Sequence, residues 1–99
     1  MNDKPRQFAL RLALVVTPAE EARRVVPDLQ EQLDVRSYLG SPRVLWDEHT
    51  QHVIVEVRDK NLDAERAAQL MSEELFEAAT AVLNEFDTMH IEILDVTEA

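Results

Sequence analysis

The spacing of the apolar residues changes along this chain, and the change limits the folds that the chain can adopt. Apolar residues recur at every second position in residues 8–16, 43–57 and 89–96, which is the period of a strand with one buried face. They recur at helical spacing in residues 17–34 and 61–86. Polar residues interrupt the middle of 43–57, so this stretch predicts two strands and a turn. The predicted order is therefore strand, helix, strand, strand, helix, strand.

This order predicts an α+β fold in which two helices cover one face of a sheet. It resembles the ferredoxin-like superfold, a βαββαβ two-layer sandwich, over nearly the whole chain. The resemblance implies a four-stranded antiparallel sheet of order 4-1-3-2 with both helices on one face. At this length we expect residues 1–99 to form a single α+β domain. Because the superfold serves many functions, the resemblance implies no particular activity.

The stretch RVLWDEHTQHVIVEV, residues 43–57, predicts a β-hairpin whose turn centres on His49 and Thr50. With the turn at this position, apolar residues lie opposite apolar residues and acids lie opposite bases on the two strands. A slip of one residue would place apolar residues of one strand opposite polar residues of the other. The predicted pairs are Arg43 with Glu56, Val44 with Val55, Leu45 with Ile54, Trp46 with Val53 and Asp47 with His52. In this register Trp46 faces the helices. We therefore expect Trp46 in the core and not as an exposed platform for a ligand.

Both predicted helices have signals at their N-termini. Thr17 is expected to cap the first helix, with Pro18 at its first position and Glu20 as the acid of a capping box. Asn61 or Asp63 is expected to cap the second helix. The second helix carries a broad apolar stripe that is expected to pack on the sheet. The stripe consists of Ala64, Ala67, Ala68, Met71, Leu75, Ala78, Ala79, Val82, Leu83 and Phe86.

Proline and glycine mark two interruptions of the pattern. Pro27 lies inside the first helix, where it cannot donate a hydrogen bond to the carbonyl of Arg23 and its ring crowds that turn. We therefore expect this helix to kink or break near Val26. The stretch SYLGSP, residues 37–42, holds the only glycine and a proline, and it predicts a loop before the hairpin.

The charge balance excludes several classes of partner. Twenty acidic residues, spread through the chain, outnumber ten basic residues and give a formal net charge of -10. Such a surface repels phosphate backbones and anionic membranes, so we expect neither a nucleic-acid nor a membrane partner. The chain has no cysteine, which excludes thiol nucleophiles, iron–sulfur clusters and cysteine-based zinc sites. The same absence favours a reducing, cytoplasmic location.

The three histidines are expected at one end of the sheet. His49 lies in the predicted turn, His52 begins the third strand and His90 begins the fourth. Under the order 4-1-3-2, the first strand separates His52 from His90 and keeps their Cα atoms roughly 10 Å apart. This separation is awkward for one ion, although Asp47, Glu48 and His49 are nearer candidate ligands. We therefore predict no metal and no cofactor, and we interpret the histidines as solvated or salt-bridged.

The sheet face that points away from the helices, here called the open face, mixes small apolar residues with charges. Arg11 has Glu56 and Glu92 as candidate partners on neighbouring strands. No segment of the sequence remains to cover this face, so we expect a homodimer through it; the alternative is a solvated face. The open face comprises Ala9, Arg11, Ala13, Val15, Leu45, Ile54, Glu56, Arg58, Glu92 and Leu94.

Two hypotheses about function remain. The sequence has no recognisable nucleophile–base pair and no glycine-rich phosphate loop, so we predict no catalytic residue. The first hypothesis is a non-catalytic interaction or regulatory module that dimerises through the open face. The alternative is a small ligand-binding protein or enzyme whose site lies at the histidine-bearing end. The residues assigned to one or the other surface are Arg11, Trp46, Asp47, His49, His52, Ile54, Glu56, His90 and Glu92.

Overall fold

The computed structural model describes residues 4–36 and 39–99 and contains the six predicted elements in the predicted order. They are β1 (Arg6–Thr17), α1 (Ala19–Asp34), β2 (Gly40–Asp47), β3 (His52–Asn61), α2 (Ala64–Val82) and β4 (Thr88–Glu98). The strands form an antiparallel sheet of order β2-β3-β1-β4, which is the predicted order 4-1-3-2 read from the other edge. The prediction of a ferredoxin-like βαββαβ fold is confirmed.

Strand β1 buries one of its faces along almost its whole length. It pairs with β3 on one side and with β4 on the other. Leu29 of α1 and Leu75 of α2 belong to the same buried cluster. The buried β1 residues are the alternating apolar residues Phe8, Leu10, Leu12, Leu14 and Val16. Because every second side chain of a strand points to the same face, β1 determines which face of the sheet meets the helices.

The hairpin of β2 and β3 has the predicted register. All five predicted pairs are present, from Arg43 opposite Glu56 to Asp47 opposite His52. Trp46 is half-buried and packs against the core, as predicted, while part of its ring surface meets solvent. The matched apolar and charged pairs were therefore enough to specify this register.

Helix α1 begins later than predicted and is not broken by its proline. Its N-cap is Pro18, which makes no side-chain capping hydrogen bond. The prediction of Thr17 as the cap and Pro18 as the first helical residue is wrong, because Thr17 is extended and pairs with Thr88 of β4.

The helix runs without a break through Pro27. Pro27 and Arg23 both face solvent, so water can hydrate the carbonyl of Arg23 that lacks a donor.

The side chain of Asp63 caps α2. The N–H of Arg66 donates to the Asp63 carboxylate at 2.8 Å, which identifies Asp63 and not Asn61 as the cap. The buried residues of α2 follow the predicted stripe and are Ala67, Ala68, Met71, Leu75, Ala78 and Ala79. Within the described part of the chain, no helix has both the length and the apolar character needed to cross a bilayer.

Helix α2 ends earlier than predicted. Its last residue is Val82, and Leu83 has an extended backbone. The inclusion of Phe86 in the apolar stripe is wrong, because this side chain is 88 % exposed. The N–H of Asn84 donates to the carboxylate of Asp87 at 2.9 Å. Such a local side-chain bond competes with the continuation of a helix.

Strand β2 begins inside the stretch that was predicted as a loop. Ser37 and Tyr38 lie outside the described residues, and the prediction of a loop over 37–42 is wrong from Gly40 onwards. Gly40 lies opposite Arg58. A Cβ atom at Gly40 would come within 3.1 Å of both the Cβ atom and the carbonyl oxygen of Arg58. The glycine therefore permits a close approach of the two strands.

A β-bulge interrupts the pairing of β4 with β1. Arg11 lies opposite Asp95, whereas Leu12 lies opposite Ile93, so β4 contributes one residue more than β1 at this point. The extra residue reverses the phase of the strand and turns Val96 toward the core. The bulge thus explains why Val96 does not follow the apolar alternation of β4.

Replacing Leu12 with Ala should strongly destabilise the fold. Leu12 is 0 % exposed in the middle of β1, and the truncation leaves a cavity that costs about 2–5 kcal/mol of unfolding free energy. Urea denaturation followed by circular dichroism measures this loss. The matched control Leu62→Ala removes the same atoms from a side chain that is 39 % exposed, so its cost should be smaller, about 1 kcal/mol. Equal losses in both variants would contradict this core.

Candidate functional site

The register of the sheet places four charged residues in one row across the open face. Arg43 of β2 lies opposite Glu56 of β3, and Glu56 lies opposite Arg11 of β1. Arg11 in turn lies opposite Asp95 of β4. Glu56 forms ion pairs with Arg43 at 3.7 Å (Nη1 to Oε1) and with Arg11 at 3.9 Å (Nε to Oε2). The sign of the charge therefore alternates across all four strands, and we call these four residues the charged row.

An apolar row lies beside the charged row. Leu45, Ile54 and Ala13 are in register on β2, β3 and β1. Ile54 and Ala13 are buried although they point away from the helices, because their neighbours on the open face cover them. Leu45 and Leu94 remain exposed. The exposed apolar area of the open face is therefore smaller than the sequence indicated.

Glu92 does not pair with Arg11, contrary to the prediction. The regular register of residues 88–93 places Glu92 opposite Ala13, and the Glu92 carboxylate contacts His90 Nε2 at 3.2 Å. Asp95, which the sequence reasoning did not select, lies beside Arg11 instead. The signal for this shift in the sequence was the loss of apolar alternation near the end of β4.

The histidines lie at one end of the sheet, as the strand order predicted. His90 of β4 lies opposite Val15 of β1, His52 is the first residue of β3, and His49 lies in the hairpin turn. Since β1 lies between β3 and β4, it separates His52 from His90. Within the part of the chain that the structure describes, no three His, Asp or Glu side chains are grouped closely enough to hold a metal ion.

Asp47 organises the hairpin turn. Its carboxylate accepts hydrogen bonds from the Thr50 hydroxyl at 2.8 Å and from the His49 N–H at 3.1 Å. Its carbonyl accepts the N–H of Gln51 at 2.8 Å. The Thr50 hydroxyl, followed by the His49 N–H, lowers the pKa of Asp47, because both donors stabilise the charged carboxylate. Asp47 therefore supplies the turn signal that an Asn-Gly dipeptide supplies in other hairpins.

Trp46 borders a shallow hollow at the start of α1. Its indole N–H donates to the carboxylate of Glu48. The hollow has a volume of about 470 Å³, and Glu20, Arg23 and Gln51 also line it. The structure therefore groups Trp46 with charges of α1 that the sequence reasoning had not connected to it.

A second hollow, of about 500 Å³, lies on the open face, and all four residues of the charged row line it. It forms where Ala9 and Thr97, two small residues, lie opposite each other. Arg58 and Ser41 also line it. The sequence reasoning missed Ser41 because it assigned this residue to a loop.

The fold and this open face define a small ferredoxin-like α+β protein, and comparisons with known proteins refine only the fold. No family model matches the chain, and no curated protein matches its sequence. Among solved structures, the chain is similar to the de novo designed protein Foldit4, with a TM-score of 0.50 and 17% identity. The match covers 94% of this chain and 98% of the designed chain. At this level of identity the likeness supports the fold and not a function.

Replacing Thr50 with Val should raise the pKa of Asp47 toward its ordinary value. The substitution removes the hydroxyl that is the main cause of the lowered pKa. Because the folded-state pKa is lowered, the stabilisation is present above about pH 4 and is lost as the pH falls through the folded-state pKa. NMR titration of the Asp47 carboxyl carbon measures the shift. Thr50→Ser keeps the hydroxyl and should leave the pKa low; an unchanged pKa in Thr50→Val would contradict the assignment.

Proposed function

We propose that this protein is a non-catalytic interaction or regulatory module that forms a homodimer through the open face of its sheet. The observation that carries the proposal is the charged row, whose sign alternates across four strands. A surface that dimerises about a twofold axis has to be complementary to itself. A cytoplasmic location agrees with the absence of cysteine.

The charged row is complementary to itself about one axis. This axis is parallel to the strands and passes between β3 and β1. A second copy turned about it places its Asp95 over Arg43 and its Arg11 over Glu56. The twofold axis repeats both contacts with the two copies exchanged. Each charge of the row therefore lies over a residue of opposite charge on the other copy. Charge complementarity of this kind favours one alignment of the two copies over others.

Side-chain size is complementary about the same axis. The axis lays β3 of one copy over β1 of the second copy. The larger side chain of Arg58 on β3 then lies over Ala9 on β1, since the two residues share a level of the sheet. The hollow at Ala9 has a volume of about 500 Å³, which leaves room for an arginine side chain. Large residues that face small residues support close packing of two sheets.

The size of the open face supports a weak dimer. Four strands spaced about 4.8 Å apart give a face roughly 19 Å wide, and seven residues of strand give a length of about 24 Å. The resulting area is on the order of 500 Å² for each copy, which is below the roughly 800 Å² of a standard interface. We therefore expect a dimer that dissociates on dilution.

Exchanging the charges of Arg43 and Asp95 tests the dimer. Arg43→Asp and Asp95→Arg, each alone, place like charges in contact twice for each dimer and should raise the dimer dissociation constant about tenfold or more. The double variant Arg43→Asp/Asp95→Arg restores opposite charges and should recover dimerisation. Sedimentation velocity over a range of protein concentrations measures the three constants.

The double variant distinguishes an ion pair between two copies from an ion pair within one copy. Arg43 and Asp95 lie on the two edge strands, about 14 Å apart at the usual strand spacing. They cannot pair within one chain, so recovery in the double variant requires a contact between chains. Arg23→Asp makes the same substitution on an exposed position of α1 and should leave the constant unchanged. A wild-type protein that stays monomeric at every concentration would contradict the proposal.

A second candidate function is binding of a small ligand in the hollow beside Trp46. The half-buried ring of Trp46 and the opposite charges of Glu20 and Arg23 favour it. Neither His52 nor His90 lines this hollow, which weakens the idea of a site at the histidines. Trp46 is the only tryptophan, so a bound ligand should change the fluorescence of the protein. Unchanged emission across a panel of small zwitterionic and aromatic compounds would contradict this function.

A further inference from the structure

Strand β4 has a long edge without a neighbour. It pairs with β1 on one side, and no described strand lies on its other side. Residues 88–93 pair regularly with β1 until the bulge interrupts the strand. The outer N–H and C=O groups of this segment can therefore pair with another extended chain.

An apolar groove runs along this edge between β4 and α2. Phe76 of α2 is 55 % exposed and lies in the groove with Met89 and Ile91 of β4. The groove has a volume of about 710 Å³. Ile93 shares the helix-facing side of the sheet with Leu12, its partner on β1, yet it is 48 % exposed because α2 does not cover the sheet edge. A fifth strand next to β4 would bury these apolar surfaces.

The charge of this region indicates which partner fits. From Ala67 to Ala99 the chain has no Lys or Arg. Glu73 and Glu77 of α2 line the groove itself. Glu74 and Glu98 pair with Arg36 and Arg6 from other parts of the chain. The other acidic residues of this part of the chain are Glu73, Glu77, Glu85, Asp87, Glu92 and Asp95. A second copy would bring the same negative charges to the edge, so the complementary partner is basic.

We propose that the β4 edge and its groove dock an extended peptide in which apolar and basic residues alternate. The peptide adds as a fifth strand along residues 88–93, so that its backbone pairs with the outer edge of β4. Its apolar side chains fall on the helix-facing side against Phe76 and Ile93. Its basic side chains fall on the other side, near Glu92, while Glu73 and Glu77 strengthen the attraction. This docking uses the edge of the sheet and does not depend on the dimer through the open face.

A synthetic probe tests the docking. The probe is a fluorescein-labelled hexapeptide of alternating Val and Lys with blocked ends, and fluorescence anisotropy at physiological salt measures its binding to the full chain. We expect saturable binding with one peptide for each chain. A peptide with Glu in place of Lys should not bind. A Val–Lys peptide whose amide groups are N-methylated on the pairing side should bind at least about tenfold more weakly, because it cannot donate to the β4 edge.

Two exposed substitutions and their matched controls locate the site. Phe76→Ser and the double variant Glu73→Lys/Glu77→Lys should each weaken binding about tenfold. Phe86→Ser makes the same change on an exposed phenylalanine that does not line the groove, and it should bind like the wild type. Circular dichroism verifies that each variant is folded. In NMR spectra, the peptide should shift alternate amide signals within residues 88–93.

Several results would overturn the proposal. No saturable binding at peptide concentrations up to about 1 mM would do so. Equal binding of the N-methylated peptide would exclude strand addition. Equal losses in Phe76→Ser and Phe86→Ser would exclude the groove. A dimer that Phe76→Ser abolishes would assign the edge to a second copy and not to a basic peptide.

Discussion

The burial of one face of β1 is the constraint on which the other features of this structure depend. Leu12 and Leu14 lie in the middle of the sheet and are fully buried, and each contributes about 1.5–3 kcal/mol relative to an exposed position. A slip of one residue against β3 or β4 would move both leucines to the open face. The buried face of β1 therefore maintains the register on both of its sides, and that register positions every side chain of the open face.

The charged row is a direct consequence of this register. Arg11 lies between two buried leucines of β1, and Glu56 lies between Val55 and Val57, two buried valines of β3. Because neighbouring side chains of a strand point to opposite faces, burial of the apolar residues keeps their charged neighbours on the open face, at one level of the sheet. Exposed ion pairs contribute little to stability, so the buried neighbours and not the ion pairs hold the row in place. The two proposals assign different partners to these surfaces, a second copy to the open face and a basic chain to the acidic β4 edge.

Much of the fold, and less of the candidate site, could be predicted from the sequence. The hairpin register was predictable because a slip would mismatch both its apolar and its charged residues. The end of α2 was predicted too far along, because the bond between Asn84 and Asp87 competes with helical pairing. The start of α1 was predicted too early, because the pairing of β1 with β4 extends β1 through Thr17. Signals within a segment were thus reliable until another interaction competed with them, a local hydrogen bond at the end of α2 and pairing with β4 at the start of α1.

The sequence by itself determined the order of the elements and the face on which each strand residue lies, because periods of two and of 3.6 residues are local properties of the chain. Only the tertiary structure decided that Asp95 and not Glu92 lies beside Arg11. The register of residues 88–93 places Glu92 opposite Ala13, and the bulge brings Asp95 in place of Leu94 to Arg11 and turns Val96 into the core. Its position depends on how β4 packs against β1. The tertiary structure also decided that Ile93 is exposed although it lies on the helix-facing side, because the reach of α2 over the sheet edge depends on how helix and sheet pack.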